Sequence, residues 1–232
     1  MGHGATVTEN VARVLERIAR AERRAGRAPG SVKLVAASKS QPLSLIREAY
    51  AAGLTVFGEN YVQEAQEKIS GIPDAEWHMI GKLQGNKVRK AVSLFSWIQT
   101  VDSGKRLEEI SLCAAEAGKV VPVLLEVNLE AEDSKAGISA DELPALAEVS
   151  AGLRGVKVSG LMAIPPYGID PEESRPYFVR LRNLRDTLAR RIPSLELPEL
   201  SMGMSGDFEE AIEEGATIVR VGTAIFGVRS WR

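Results

Sequence analysis

Val32-Lys33-Leu34-Val35-Ala36-Ala37-Ser38-Lys39 reads as a buried strand: its residues are mostly β-branched or small, and the turn chemistry of Ser40-Gln41-Pro42 closes it. Strand side chains alternate, so Val35, Ala37 and Lys39 share one face, with Leu34, Ala36 and Ser38 on the other. Lys39 therefore stands at the carboxyl end of a core strand, on a face otherwise small and apolar. Ligands bind at that end in α/β folds. Partial desolvation there lowers a lysine's pKa and favours the neutral amine that attacks carbonyls to form Schiff bases. The plainer reading is a lysine that ends a strand and reaches water.

Outward from this stretch the chain alternates. Residues 6–25 predict a helix capped by Thr8, with Val11, Val14, Leu15 and Ile18 as its apolar stripe and Gly26 as its stop. After the lysine strand, helices are expected over 42–52, 61–69, 86–92, 105–117, 140–151, 172–191 and 207–214. Between them, strands are expected over 54–57, 77–80, 97–101, 121–127, 156–162, 197–202 and 217–221. Hairpin turns such as Asn-Gly are absent between the eight strand signals, so the sheet should be parallel. Strict alternation leaves a closed (β/α)8 barrel or an open doubly wound sheet. Eight units in 232 residues match the barrel's usual size. The expectation is a single-domain TIM barrel over residues 1–232, with residues 1–28 as an extra N-terminal helix packed on it.

Composition narrows the function. With 44% hydrophobic and 26% charged residues, the chain is neither a disordered segment nor a coiled coil. A net charge of -2 supplies no bulk positive field, so no nucleic-acid partner is expected. The apolar runs are strand-length, and no membrane span is expected. The start, Met1-Gly2-His3-Gly4, lacks the pattern of a signal peptide, and the lone Cys113 rules out an internal disulfide; both fit a cytoplasmic protein. Two histidines, His3 and His78, with one cysteine argue against a zinc site.

Nearly every strand ends in small or polar residues: Ser38-Lys39, Gly58-Glu59-Asn60, Gly81-Lys82, Asp102-Ser103, Asn128, Ser201 through Ser205, and Gly222-Thr223. In a closed barrel these ring one mouth. The last two ends are the most specific. Barrels often bind phosphate with the loops after strands seven and eight and the N-terminus of a short helix. Glycines let backbone N–H groups approach the oxygens, and hydroxyls donate. Ser201, Gly203, Ser205, Gly222 and Thr223 supply this set. A Schiff-base lysine plus a phosphate cradle describes one cofactor well, pyridoxal 5'-phosphate (PLP).

Several stretches together resemble the pyridoxal phosphate homeostasis protein family. They are Ala36-Ala37-Ser38-Lys39, Phe57-Gly58-Glu59-Asn60-Tyr61-Val62-Gln63-Glu64, Trp77-His78-Met79-Ile80-Gly81, Gly160-Leu161-Met162-Ala163, Ser201-Met202-Gly203-Met204-Ser205 and Val219-Arg220-Val221-Gly222-Thr223-Ala224-Ile225-Phe226-Gly227. The match runs from about residue 33 to 227. The resemblance implies a barrel like the N-terminal domain of alanine racemase (PLP fold-type III), with the cofactor bound covalently at Lys39. It assigns the cofactor site to Lys39, Asn60, Ser201, Met202, Ser205, Arg220, Gly222 and Thr223. It also implies a role in the balance of vitamin B6 and amino-acid pools, with no established turnover; a monomer that supplies apo PLP enzymes is the partner reading. Two positions depart from the family pattern: Lys82 stands where a histidine is usual, and Gly85 where a serine is usual.

In barrels of this type the matched arginine, Arg220, approaches the pyridine nitrogen, where a fixed positive charge disfavours the pyridinium and weakens the electron sink. The plainer reading of Arg220 is an ion pair with Glu59 or another mouth carboxylate. A racemase needs a second base opposite Lys39; in alanine racemase it is a tyrosine contributed across a dimer. Of Tyr50, Tyr61, Tyr167 and Tyr177, only Tyr61 and Tyr167 are expected near a mouth. His78 reads as a hydrogen-bonded core histidine. Cys113 reads as a buried thiol, and Arg180, Arg182, Arg185, Arg190 and Arg191 as a solvated face. The competing functions are a PLP-dependent amino-acid racemase or lyase, and a phosphosugar enzyme with Lys39 as an aldolase-like lysine.

Overall fold

The computed structural model describes residues 5–130, 137–166 and 168–227. Among the described residues there are nine strands: β1 (Lys33–Ala37), β2 (Val56–Glu59), β3 (Glu76–Met79), β4 (Trp97–Val101), β5 (Val121–Asn128), β6 (Ile138–Ser139), β7 (Val156–Met162), β8 (Glu199–Ser201) and β9 (Ile218–Val221). The helices are α1 (Val7–Arg24), α2 (Leu43–Ala51), α3 (Val62–Gly71), α4 (Val88–Leu94), α5 (Gly104–Glu116), α6 (Leu143–Ser150), α7 (Pro171–Arg191), α8 (Phe208–Glu213) and α9 (Thr223–Phe226). All strands but β6 form one parallel ring in the order β1, β2, β3, β4, β5, β7, β8, β9, with the β1–β9 and β4–β5 pairings completing it. The fold is the closed eight-stranded barrel, not the open sheet. β6, which the sequence reading does not anticipate, adds a two-residue parallel pairing to the tip of β5.

Closure gives every strand two buried faces. Val35, Ile80, Leu124, Met162 and Ile218 meet inside the barrel with Ala37, Val56 and Trp97 around them. Their strand neighbours, such as Ala36, Trp77, Leu125, Leu161 and Val219, turn outward under the helices. This alternation puts Val35 and Ala37, the last interior residues of β1 before Lys39, on the inner face.

Local chemistry shifts some boundaries. α1 is capped by Thr6, not Thr8: the Thr6 hydroxyl accepts the Glu9 N–H, and the Glu9 carboxylate accepts the Thr6 N–H. Leu15, expected in the buried stripe, is 43% exposed, and Val7 and Ala21 take its place. β2 starts at Val56 because the Leu54 N–H is spent on the Ala49 carbonyl at the end of α2. β8 begins only at Glu199, after Pro198, which has no N–H to donate. α1 straps the seam of the barrel: Asn10 donates to the Ile225 carbonyl of α9, and Arg17 and Arg24 pair with Glu209 and Glu213 of α8.

At Gly160 the β7–β8 ladder leaves no room for a side chain, since a Cβ would lie 1.9 Å from the Glu199 carbonyl oxygen opposite it. Only backbone movement would relieve that clash. Gly160→Ala is expected to cost about 3 kcal/mol, read as a lower denaturant midpoint at unchanged slope.

Candidate active site at the carboxyl end of the barrel

The strand carrying the lysine is held from outside the barrel. β1 ends at Ala37, two residues short of the expected strand end at Lys39; Ser38 donates its N–H to the Gly58 carbonyl, and Lys39 lies in the turn that follows. Ser40 takes a left-handed backbone (φ 60) in that turn, and its N–H donates to the Glu64 carboxylate at 2.6 Å. Beneath it sits the buried ammonium of Lys68, on α3. It donates to the Ser38 carbonyl at 2.7 Å, to Glu59 at 2.8 Å and to Glu64 at 2.6 Å. Ser38 donates its hydroxyl to the same Glu59 oxygen at 2.5 Å, while the second Glu59 oxygen is buried without a hydrogen-bond partner. Burial pushes the Glu59 carboxyl above its ordinary range, against the opposing pull of Lys68 and Ser38. These groups grip the backbone on both sides of Lys39, and the lysine itself is half-buried.

The other half of the site is inside the barrel. Register pairs Val35 with Arg220 and Ala36 with Val221, so Gly222 lies beside Ala37; a Cβ on Gly222 would sit 3.2 Å from the Ala37 carbonyl oxygen. Arg220 is 4% exposed, and burial lowers its pKa to about 10, so it remains charged at neutral pH. It donates to the Ser201 hydroxyl at 2.5 Å and to the Ala163 carbonyl at 2.9 Å, and no carboxylate among the described residues forms a salt bridge with it. The alternative pairing with Glu59 does not occur, because Glu59 faces outward to Lys68. Glu126 lies nearby, and its carboxyl is raised by burial while the Arg220 charge opposes the rise.

Above Arg220 the loops after β8 and β9 are tied together. The Ser205 hydroxyl oxygen accepts the backbone N–H groups of Gly222 (3.1 Å) and Ala224 (3.2 Å). Thr223 is exposed beside them. Asn60 follows β2, half-buried, and Gly81 passes so close that a Cβ would lie 2.5 Å from the Asn60 Cα. Met202 differs from its neighbours: its side chain is fully buried in the layer under the helices, and its N–H donates to the Ile218 carbonyl.

His78 is a buried hydrogen-bonded residue, bridging Glu76 and Gln99. Cys113 is half-buried on α5. The α7 arginines are engaged locally: Arg180 with the Leu129 carbonyl, Arg182 with Glu214, Arg185 with Asp186, Arg190 with Thr187 and Arg191 with Glu148. Lys82 is 72% exposed and 3.9 Å from Asp102. Gly85 opens a short 3-10 turn beside Arg106. Tyr167 and most of the polar loop at 132–137 lie outside the described residues. The residues that sequence reasoning missed are Lys68, Glu64 and Gln99. Lys68 four positions after Glu64 on one helix was a visible signal, as was a glutamine at interior parity in a core strand.

Lys68→Met is expected to destabilise the protein by about 3 kcal/mol at pH 7, because it strands a buried carboxylate. Glu59 binds its proton more tightly folded than unfolded, so stability falls as pH rises past the ordinary carboxylate range. Denaturation midpoints of the variant should therefore recover part of the loss as pH is lowered from 7 toward 5.

Comparisons with known proteins agree with this geometry. The chain matches the model of the alanine racemase N-terminal domain over residues 10–230. It is 49% identical to the pyridoxal phosphate homeostasis protein of Aquifex aeolicus over 225 residues, 96% of this chain and 98% of that one. The corresponding protein of Pseudomonas aeruginosa is 44% identical over 228 residues, 97% of each chain. The structure of PipY from Synechococcus elongatus with PLP bound superposes with a TM-score of 0.82 at 43% identity, covering 92% of this chain and 100% of that one. Alanine racemase from Corynebacterium glutamicum, at 18% identity and a TM-score of 0.71 over 95% of this chain and 62% of its own, shares the fold alone. The chain belongs to the alanine racemase N-terminal domain family and, within it, to the pyridoxal phosphate homeostasis proteins.

Proposed function

We propose that this protein binds PLP covalently through Lys39 and serves in intracellular PLP, vitamin B6 and amino-acid homeostasis without efficient catalysis. The observation that carries the reading is the pair of backbone N–H groups, from Gly222 and Ala224, converging on one oxygen at the mouth that Lys39 and Arg220 share. Here that oxygen belongs to Ser205; a phosphate oxygen satisfies the same donors, with Ser205 and Thr223 adding hydroxyls. The names of the relatives and the PLP-bound neighbour support the choice of cofactor.

Each residue has a distinct part. Lys39 would supply the amine, and Arg220 would meet the pyridine ring as a donor that cannot accept a proton. PLP on a lysine supplies an electron-withdrawing ring, and a fixed cation at its nitrogen weakens that withdrawal. Asn60 and Ser201 would supply polar contacts around the ring, while Met202 packs behind the wall. The second-base problem supports a carrier over a racemase: Tyr61 is 60% exposed, and Tyr50 packs against the outer core. No helix among the described residues is long and apolar enough to cross a membrane. We read the protein as a cytoplasmic monomer that passes PLP to apo enzymes.

The test is the visible absorption spectrum of the purified protein with PLP, followed by borohydride reduction and peptide mapping. A coloured protein whose pyridoxyl group maps to Lys39 is expected. Lys39→Ala should lose the adduct entirely while its far-ultraviolet circular dichroism and melting temperature stay close to wild type, since a turn position is cheap to alter. A protein that stays colourless with added PLP would overturn the assignment, and steady turnover of alanine or serine would move it to the racemase.

A further inference from the structure

The interior of a barrel of this kind is ordinarily filled by layers of branched aliphatic side chains. Here one file of interior positions is polar from end to end. At the amino-terminal side Glu76, 34% exposed, accepts from Lys33 (3.0 Å) and contacts His78 Nε2 (2.6 Å). His78 Nδ1 lies 2.7 Å from the Gln99 amide nitrogen, the Ser201 hydroxyl donates to Gln99 Oε1 at 2.6 Å, and Arg220 donates to Ser201 Oγ at 2.5 Å. His78, Gln99 and Ser201 are each 0% exposed.

The direction of every hydrogen bond follows from the arginine. A guanidinium only donates, so Ser201 Oγ accepts from it and turns its single hydrogen toward Gln99. Gln99 then presents its carbonyl to Ser201 and its NH2 to the imidazole. His78 Nδ1 must be a bare acceptor, which leaves the hydrogen on Nε2, aimed at the Glu76 carboxylate. Trp97, stacked on the imidazole at 5.6 Å, closes one side. Burial holds His78 below its ordinary pKa, consistent with a neutral ring.

From this file we propose that Gln99 and His78 are positioning residues that fix the Ser201 hydroxyl and, through it, the pose of the Arg220 guanidinium toward the PLP ring. A hydrophobic file would fill the same space without a desolvation cost. What it would lack is a defined acceptor for Arg220, leaving the guanidinium free to swing toward Glu126. The inference rests on the PLP reading of the site.

The test is a double-mutant cycle on PLP affinity, with Gln99→Met, Ser201→Ala and the double variant. The visible band of the bound cofactor is recorded for each, with melting of the cofactor-free protein as the control. Each single variant is expected to weaken PLP binding about tenfold, the scale of one charge-assisted hydrogen bond, and to shift the band. The double variant should bind no more than about threefold weaker than Ser201→Ala alone, because both act on one contact. Wild-type affinity and an unshifted band in Gln99→Met, or losses that multiply in the double variant, would overturn the proposal. A folding defect in Gln99→Met is met by the wild type: 15N spectra should show His78 neutral with its hydrogen on Nε2, and the Nδ1–H form would refute the relay. A wild-type protein that takes up no PLP fails the functional reading itself, whereas wild-type uptake with an unaltered Gln99→Met fails only this inference.

Discussion

A guanidinium buried inside the barrel sets the terms for everything around it. Arg220 keeps its charge at neutral pH, cannot accept a hydrogen bond and has no salt-bridged carboxylate among the described residues. Its neighbours must therefore accept, and they do: a serine hydroxyl and a backbone carbonyl at the end of β7. Burying such a charge is costly unless the surroundings are already polarised to receive it. The file of oriented dipoles that ends on the half-buried Glu76 carboxylate provides that polarisation. Charge is thereby spread along the barrel instead of being cancelled at one contact.

A second polar system lies on the opposite side of the β1–β2 wall. Lys68, Glu59, Glu64 and Ser38 are organised around an ammonium that is 6% exposed at its side chain. The two systems never touch, since alternate residues of one strand face opposite ways. The inner system holds the buried guanidinium of Arg220, and the outer one holds the turn that carries Lys39. Removing Lys68 is an error in position for the lysine backbone; disturbing Gln99 is an error in orientation for the arginine.

How legible this was differs between levels. Alternating helix and strand signals predicted the parallel barrel, with Val35 and Ala37 on its inner face, because period-two patterning is a property of the chain itself; the turn that takes Lys39 out of the strand depends on Glu64 and Lys68 of α3. The glycines and serines after β8 and β9 were readable for the same reason: only small residues let backbone N–H groups converge. Partner choice was not readable. Glu59 was available to Arg220 in the sequence, and only the placement of α3 shows that Lys68 claims it. Thr6 and Thr8 both fit a helix cap, and the reciprocal bond with Glu9 decides for Thr6. Gln99 carried a signal, an amide in a core strand, but its meaning depends on strand β8 lying across the barrel.

The seam between β1 and β9 has a consequence for how the molecule comes into being. Lys39 leaves the first strand and Arg220 sits in the last, and their register is set only when those two strands pair. Such contacts are among the most distant in sequence that this fold makes, and contacts of that kind form late because the intervening chain must first be organised. A nascent chain on the ribosome would present the lysine long before it possessed the arginine or the glycine loop beside it. Any ligand that spans the seam, touching both strands, becomes a clasp on the barrel and draws its binding energy partly into holding the first and last units together.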